Sequence, residues 1–254
     1  MGALATPAVV LRRRVYGDTD LMVTLLTRDQ GKVGAIAKAA KKSVRRFAGT
    51  LEPFSVIEAV LVPARTIPLL REATLIHPFG GLRTRIAKTA YAGCWMEIID
   101  TWMEEGVADR PLFELLCHSL ERLDGDDQCA EAVNIFFQMK FLVAAGLAPG
   151  LSRCGGCGRS IEALTGHHLF FDPPSARLLC RACAPEQGQP MVLSKGTIKQ
   201  LQWMADSSAQ CCRRMRFTRQ GLCEGERFLE HFMAAQLGRK PRSLDVLRQL
   251  QGCR

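Results

Sequence analysis

Two cysteine pairs constrain this chain more than any other feature: Cys154-Gly155-Gly156-Cys157 and Cys180-Arg181-Ala182-Cys183. A CxxC spacing lets two thiolates of one tight turn face a single metal ion, and four thiolates at about 2.3 Å close a tetrahedral shell around zinc. The 22 residues between the pairs suffice for a hairpin or loop that returns the second pair to the first. Gly155, Gly156 and Gly158 crowd the first pair, as a tight turn around a metal requires. The expectation is one structural zinc ion per chain, held by Cys154, Cys157, Cys180 and Cys183. Such a shell has no open position and therefore no catalytic role. Two readings compete with it: two reduced pairs in a core, or a redox CxxC. The redox motif normally opens a helix after a strand and leaves the second copy unexplained. His167 or His168, between the pairs, could replace a thiolate, but four cysteines already fill the shell.

Seven further cysteines (Cys94, Cys117, Cys129, Cys211, Cys212, Cys223 and Cys253) are scattered and odd in number. The opening Met1-Gly2-Ala3-Leu4-Ala5-Thr6-Pro7 carries no long apolar run. Together these predict a reducing cytoplasm and free, mostly buried thiols. No stretch approaches about 18 uncharged apolar residues, so no membrane association is expected.

The formal net charge of +9 is segregated along the chain. Residues 1–80 hold 12 Lys/Arg against 6 Asp/Glu, residues 81–150 hold 6 against 11, and residues 151–254 hold 16 against 8. A basic excess concentrated in a small segment is the electrostatic footprint of a polyanion partner. A basic surface without a partner is the bland alternative.

Hydrophobic periodicity changes along the chain. Residues 4–77 read as β in five short runs, the third of which alternates with period two. These begin at Val9-Val10-Leu11, Leu21, Lys32, Phe54 and Leu69, with turn signals at Gly17-Asp18 and Asp29-Gln30-Gly31. Five strands in so short a span predict a small barrel. A five-stranded oligonucleotide-binding (OB) barrel is the common solution, and an SH3-like barrel the alternative. From Leu82 the period becomes helical: Arg83 to Met103, then Pro111 to Leu123. A third helix carries Val133, Phe137, Phe141 and Ala144 and stops at Gly146. Ser194 reads as the N-cap of a helix through Met204, and Leu222, Leu229, Phe232 and Met233 mark another. The fold class is therefore α+β. The domains are expected at 1–80 for the OB barrel and 81–254 for a helical domain, which a zinc-ribbon-like insert interrupts at 152–184.

Between the third and fourth strands lies Lys38-Ala39-Ala40-Lys41-Lys42-Ser43-Val44-Arg45-Arg46-Phe47, with five cations and no acid. Such a connector can follow a phosphate backbone, each contact releasing counterions. Arg12, Arg13 and Arg14 place a cation on each face of the first strand, and Arg12 and Arg14 join Lys38, Lys41, Lys42, Arg45 and Arg46 as candidate DNA-binding residues. Phe47 and Tyr16 are candidates for base stacking. The alternative is a solvated loop with Phe47 packed into the barrel. No phosphate-cradling glycine loop, HExxH or nucleophile elbow is present, so no catalytic residue is expected and the chain does not read as an enzyme. His77, His118 and His231 are isolated.

In its order of motifs the chain resembles the RecO family of bacterial recombination-mediator proteins. The likeness runs through Val10-Leu11, Tyr16-Gly17-Asp18-Thr19-Asp20, Leu25-Leu26-Thr27, Gly31-Lys32, Ala37-Lys38 and the basic connector, to Leu51-Glu52-Pro53-Phe54. It continues at Ala145-Gly146-Leu147-Ala148-Pro149 and Arg239-Lys240-Pro241-Arg242-Ser243-Leu244. Ala39 departs from it, since the family often has glycine there. The resemblance implies an OB barrel, a helical domain and a zinc-ribbon-like insert. It also implies binding of single- and double-stranded DNA, annealing of complementary strands, and action with RecR to load RecA onto strands coated by single-strand-binding protein. The implied setting is the bacterial cytoplasm and nucleoid. The helical domain is implied to grip the acidic, Phe-ending tail of single-strand-binding protein, and Lys140, among Phe136, Phe137 and Phe141, is the candidate carboxylate anchor. A zinc-stabilised scaffold for acidic protein segments is the competing function.

Overall fold

A computed structural model describes residues 2–47, 49–125, 129–185, 190–207 and 217–238, together with Ser243. These divide into two compact units, 2–125 and 129–243. Arg213, Arg214 and Arg216 lie outside the described residues, as do Cys211, Cys212, Cys253 and most of 239–244.

The first unit opens with five strands: β1 (Leu4–Tyr16), β2 (Asp20–Thr27), β3 (Gly31–Ala37), β4 (Val56–Val62) and β5 (Leu69–His77). They close a barrel in the order β1-β2-β3-β5-β4, antiparallel except for the β3–β5 pair. This is the topology of the expected OB barrel. Its interior is filled by alternate residues, Val23 and Leu25 on β2, Ala35 and Ala37 on β3, Ile57, Ala59 and Leu61 on β4. The alanines let so narrow a barrel close. One β1 strand serves two neighbours: Leu4–Val9 pair with β4 and Ala8–Tyr16 with β2. A bulge between Val10 and Arg12 breaks its register.

The connector is more ordered than a solvated loop. It ends in a single helical turn, α1 (Val44–Phe47), and Phe47 is buried in the barrel core with Leu51. Phe47 is thus a core residue and not an exposed stacking platform. A 3₁₀ turn, Gly80–Arg83, leads into α2 (Ile86–Trp102), which packs on β1. Its buried residues lie all round the axis, among them Tyr91, Trp95, Met96 and Ile99. Helix α3 (Arg110–Asp124) begins with an N-cap from Asp109, whose Oδ1 accepts from the Leu112 N–H at 2.9 Å. Lys88 is buried on α2. Its ammonium donates to the carbonyls of Asp124 (3.1 Å) and Gly125 (2.8 Å), completing the C-terminus of α3.

The second unit contains α4 (Ala130–Ala144), α5 (Lys195–Asp206), α6 (Arg219–Leu237) and a four-stranded sheet. Its strands are β6 (Gly150–Cys154), β7 (His168–Asp172), β8 (Arg177–Leu179) and β9 (Met191–Ser194), in the order β6-β8-β7-β9. The sheet therefore outruns the expected insert at both ends. Phe171 of β7 meets Phe228 and Phe232 of α6 edge-on, with ring centroids at 4.8 and 5.5 Å, so sheet and helices share one core.

Candidate metal centre and nucleic-acid interface

Parallel pairing explains how the two cysteine pairs meet. Strand β6 ends at Cys154, and β8, its parallel neighbour, ends at Leu179, one residue before Cys180. Parallel strands finish at the same edge, so both CxxC turns begin side by side, and the antiparallel β7–β8 hairpin brings the chain back. The Sγ atoms of Cys154, Cys157, Cys180 and Cys183 all lie within 4.8 Å of one another. A tetrahedral zinc–thiolate shell needs about 3.8 Å between sulfurs, and Cys157 and Cys180 stand at 3.9 Å. No histidine belongs to this group.

The surrounding backbone is arranged for thiolate. The Cys180 N–H points at Cys154 Sγ, 3.3 Å away. Burial raises the Cys154 pKa, but N–H donors of Cys157, Cys180 and Gly156 outweigh it and hold the group at about 6. Cys183 is pushed up to about 12 by hydrogen bonds to Cys180 and Cys154, which keep a proton among the crowded sulfurs. A dication displaces such protons. Two glycines permit the approach. A Cβ on Gly156 would stand 2.8 Å from Cys183 Cβ and 2.9 Å from its Sγ, and one on Gly155 would strike the Arg177 side chain at 2.8 Å. Only Gly158 is there for its backbone angle, with φ +73°. The donor set, spacing and N–H···S bonds fit a closed four-thiolate metal site.

The basic residues gather at one end of the barrel. The β1–β2 hairpin tip and the connector are locked together. Asp20 Oδ1 accepts from the Ala39 N–H (2.8 Å), the Lys41 N–H donates to the Thr19 carbonyl (3.0 Å), and the Lys41 ammonium donates to the Asp18 carbonyl (3.2 Å). The Ala39 N–H bond, then the Thr19 hydroxyl, hold the Asp20 carboxyl below the usual carboxylate range. Lys38, Lys42, Arg45 and Arg14 are exposed. Arg46 is more committed: it donates to Ser43 Oγ and the Lys38 carbonyl and lies 5.0 Å over the Phe47 ring. Arg12 pairs with Asp100 at 3.3 Å.

The bulge redirects the arginines. Strict alternation from Val10, a core residue, would turn Arg12 and Arg14 inward. With Leu11 as the extra residue, Arg12 opposes Thr24 while Arg13 opposes Val23 and Val15 opposes Leu21. Arg13 and Val15 therefore continue the interior face past the end of the barrel. There they line a cleft of about 470 Å³ with Arg14, Lys41, Leu21 and Phe47. Arg13 was not among the candidate residues, because no turn or glycine signal marks the bulge. Lys140, in the second unit, donates its ammonium to the Ala205 carbonyl at 2.8 Å, which ties α4 to α5. No described helix is long and apolar enough to cross a membrane.

Comparison with known proteins bears on this arrangement. The profile described as "Recombination protein O N terminal" matches residues 1–79, and "Recombination protein O C terminal" matches 83–245. The chain belongs to the RecO family. Among its RecO relatives, the DNA repair protein RecO of Desulfatibacillum aliphaticivorans is 40% identical over 254 residues, covering 99% of this chain and 98% of that protein. That of Desulfosudis oleivorans is 35% identical over 99% of both chains, and that of Symbiobacterium thermophilum 29% identical over 97% of both.

Proposed function

We propose that this RecO chain is a DNA-binding recombination mediator that carries no catalytic site. On this reading it binds single and double strands through the basic end of its barrel, anneals complementary strands, and acts in the bacterial cytoplasm and nucleoid. With RecR it helps load RecA onto DNA coated by single-strand-binding protein. The observation that carries the DNA reading is the joined hairpin and connector, which holds Arg14, Lys38, Lys41, Lys42 and Arg45 on one end of an OB barrel. Phosphate contacts from such a surface give affinity without sequence information. The metal of the four-cysteine site is zinc on this proposal, bound for structure. The bound tail of single-strand-binding protein falls to the helical unit. A role for Lys140 there requires its ammonium, a group with three N–H donors, to serve the tail's carboxylate beside the Ala205 carbonyl.

The test uses Lys38, Lys42 and Arg45, whose side chains make none of the hydrogen bonds that lock the connector. Replacing all three by Glu should weaken single-strand binding nearly equally for all sequences. It should also flatten the log–log salt slope by about 2, at roughly 0.7 per phosphate contact on single strands. Unchanged affinity and slope would remove the barrel end as the DNA surface. If an acidic peptide bound this surface and oligothymidylate did not, the scaffold reading would replace it.

A further inference from the structure

We propose that the cleft at the mouth of the barrel seats one unpaired nucleobase, so that this surface reads exposed bases as well as phosphates. The inference rests on the nucleic-acid reading of the barrel and assigns a substrate class to it. The cleft's volume of about 470 Å³ lies within the range of sites that enclose small ligands. Its lining has two parts. The exposed Val15 and the part-buried Leu21, with the edges of the buried Phe47 and Leu51, supply apolar surface, and the exposed Arg13, Arg14 and Lys41 supply positive charge. A nucleotide has the same division, a flat apolar face joined to an anionic phosphate.

Charge continuity favours a nucleic-acid strand over a peptide terminus. The cations do not stop at the cleft but continue along the connector to Lys38, Lys42 and Arg45, all exposed. A chain carrying an anion at every residue uses such a track. A peptide presenting one ring and one carboxylate does not. Arg13 is already engaged inside the cleft, by Glu52 at 2.7 Å, and both side chains are about 40% exposed. Exposed pairs of this kind contribute little, so an incoming phosphate or base edge can take the guanidinium from Glu52. A duplex offers its phosphates to the same cations but keeps its bases stacked and paired. It fills the cleft only by extruding a base, at the cost of unpairing it.

The experiment uses the full chain and fluorescence anisotropy with two labelled strands of equal length, oligothymidylate and a fully abasic strand. The wild type should bind oligothymidylate on the order of tenfold more tightly, as burial of one base face against apolar surface would give, with the same salt slope for both. Ala40 also lines the cleft; Ala40→Leu fills it and should erase that preference while leaving abasic binding and its slope intact. Val15→Asn, at a side chain 69% exposed, should reduce the preference without disturbing the fold, and serves if Ala40→Leu does not fold. Equal wild-type affinity for both strands overturns the inference while the phosphate-binding reading stands. Failure of both strands to bind overturns that reading and the inference with it. A preference that survives both variants, or loss in them of Phe-ending acidic peptide binding instead, assigns the cleft to something other than a base and also overturns it.

Discussion

Ala39 sits at φ +54°, in left-handed backbone space where a Cβ is unfavourable. It is held there from both sides: its N–H donates to Asp20, and its carbonyl accepts from the Lys42 and Ser43 N–H groups. The resemblance implied glycine here, and the positive φ is the backbone setting in which a Cβ is costly. Ala39→Gly should therefore stabilise the first unit by about 1 kcal/mol, read from denaturant unfolding. An unchanged or lowered midpoint would mean the strain is relieved by other means. Arg12 and Arg14 are legible in the sequence as cations but not as contacts. Three consecutive arginines declare charge, while the face each occupies depends on the Leu11 bulge, which has no local marker. Gly155 and Gly156 read as turn residues, yet what they provide is space for Arg177 and Cys183.

At the scale of elements, the N-terminus of α5 combines a local and a distant signal. Ser194 was readable as an N-cap, and its Oγ accepts from the Thr197 N–H at 3.2 Å. A capping box would place Glu or Gln at Thr197. Here the carboxylate comes from α6 instead: Glu224 Oε2 accepts from the Ser194 N–H (2.9 Å) and the Thr197 hydroxyl (2.6 Å), and Oε1 from Gln220 (2.7 Å). Burial raises the Glu224 pKa, but the bonds from Thr197, Ser194 and Gln220 outweigh it, and the folded value lies below the ordinary one. The stabilisation is thus fully present above the pKa of the unfolded chain and is lost as pH falls through the lower, folded value. Glu224→Ala should cost about 2 kcal/mol at neutral pH, and the difference from wild type should shrink in acid. A pH-independent difference would assign the loss to packing.

For the whole molecule, the metal site belongs to more than the insert. Strand β7 runs from the zinc-ribbon-like sheet into the Phe171–Phe228–Phe232 cluster, and β9 passes directly into α5. Elemental analysis of freshly purified protein should find one zinc per chain. Removing it with a strong chelator should raise amide exchange through β6–β9 and into α5 and α6, because ligand binding energy here is folding energy. The barrel, with its own core, should keep its protection. Protein that is folded and metal-free as isolated, or exchange confined to the cysteine turns, would contradict this.

The sequence by itself determined what depends on near neighbours. Five short β-rich runs between turn signals gave strands, the change of period at Leu82 gave helices, Ser194 and Pro111 gave helix starts, and two CxxC spacings gave a ligand set. Each is a property of a few successive residues and their backbone preferences. Tertiary structure alone decided which side of β1 its arginines occupy, that Phe47 closes the barrel, that Glu224 caps a helix 30 residues away, and that Lys88 completes another. Those outcomes depend on register and on packing between segments distant in the chain. A one-residue bulge inverts every later side chain of a strand, and no local pattern records where a distant carboxylate or carbonyl will come to rest.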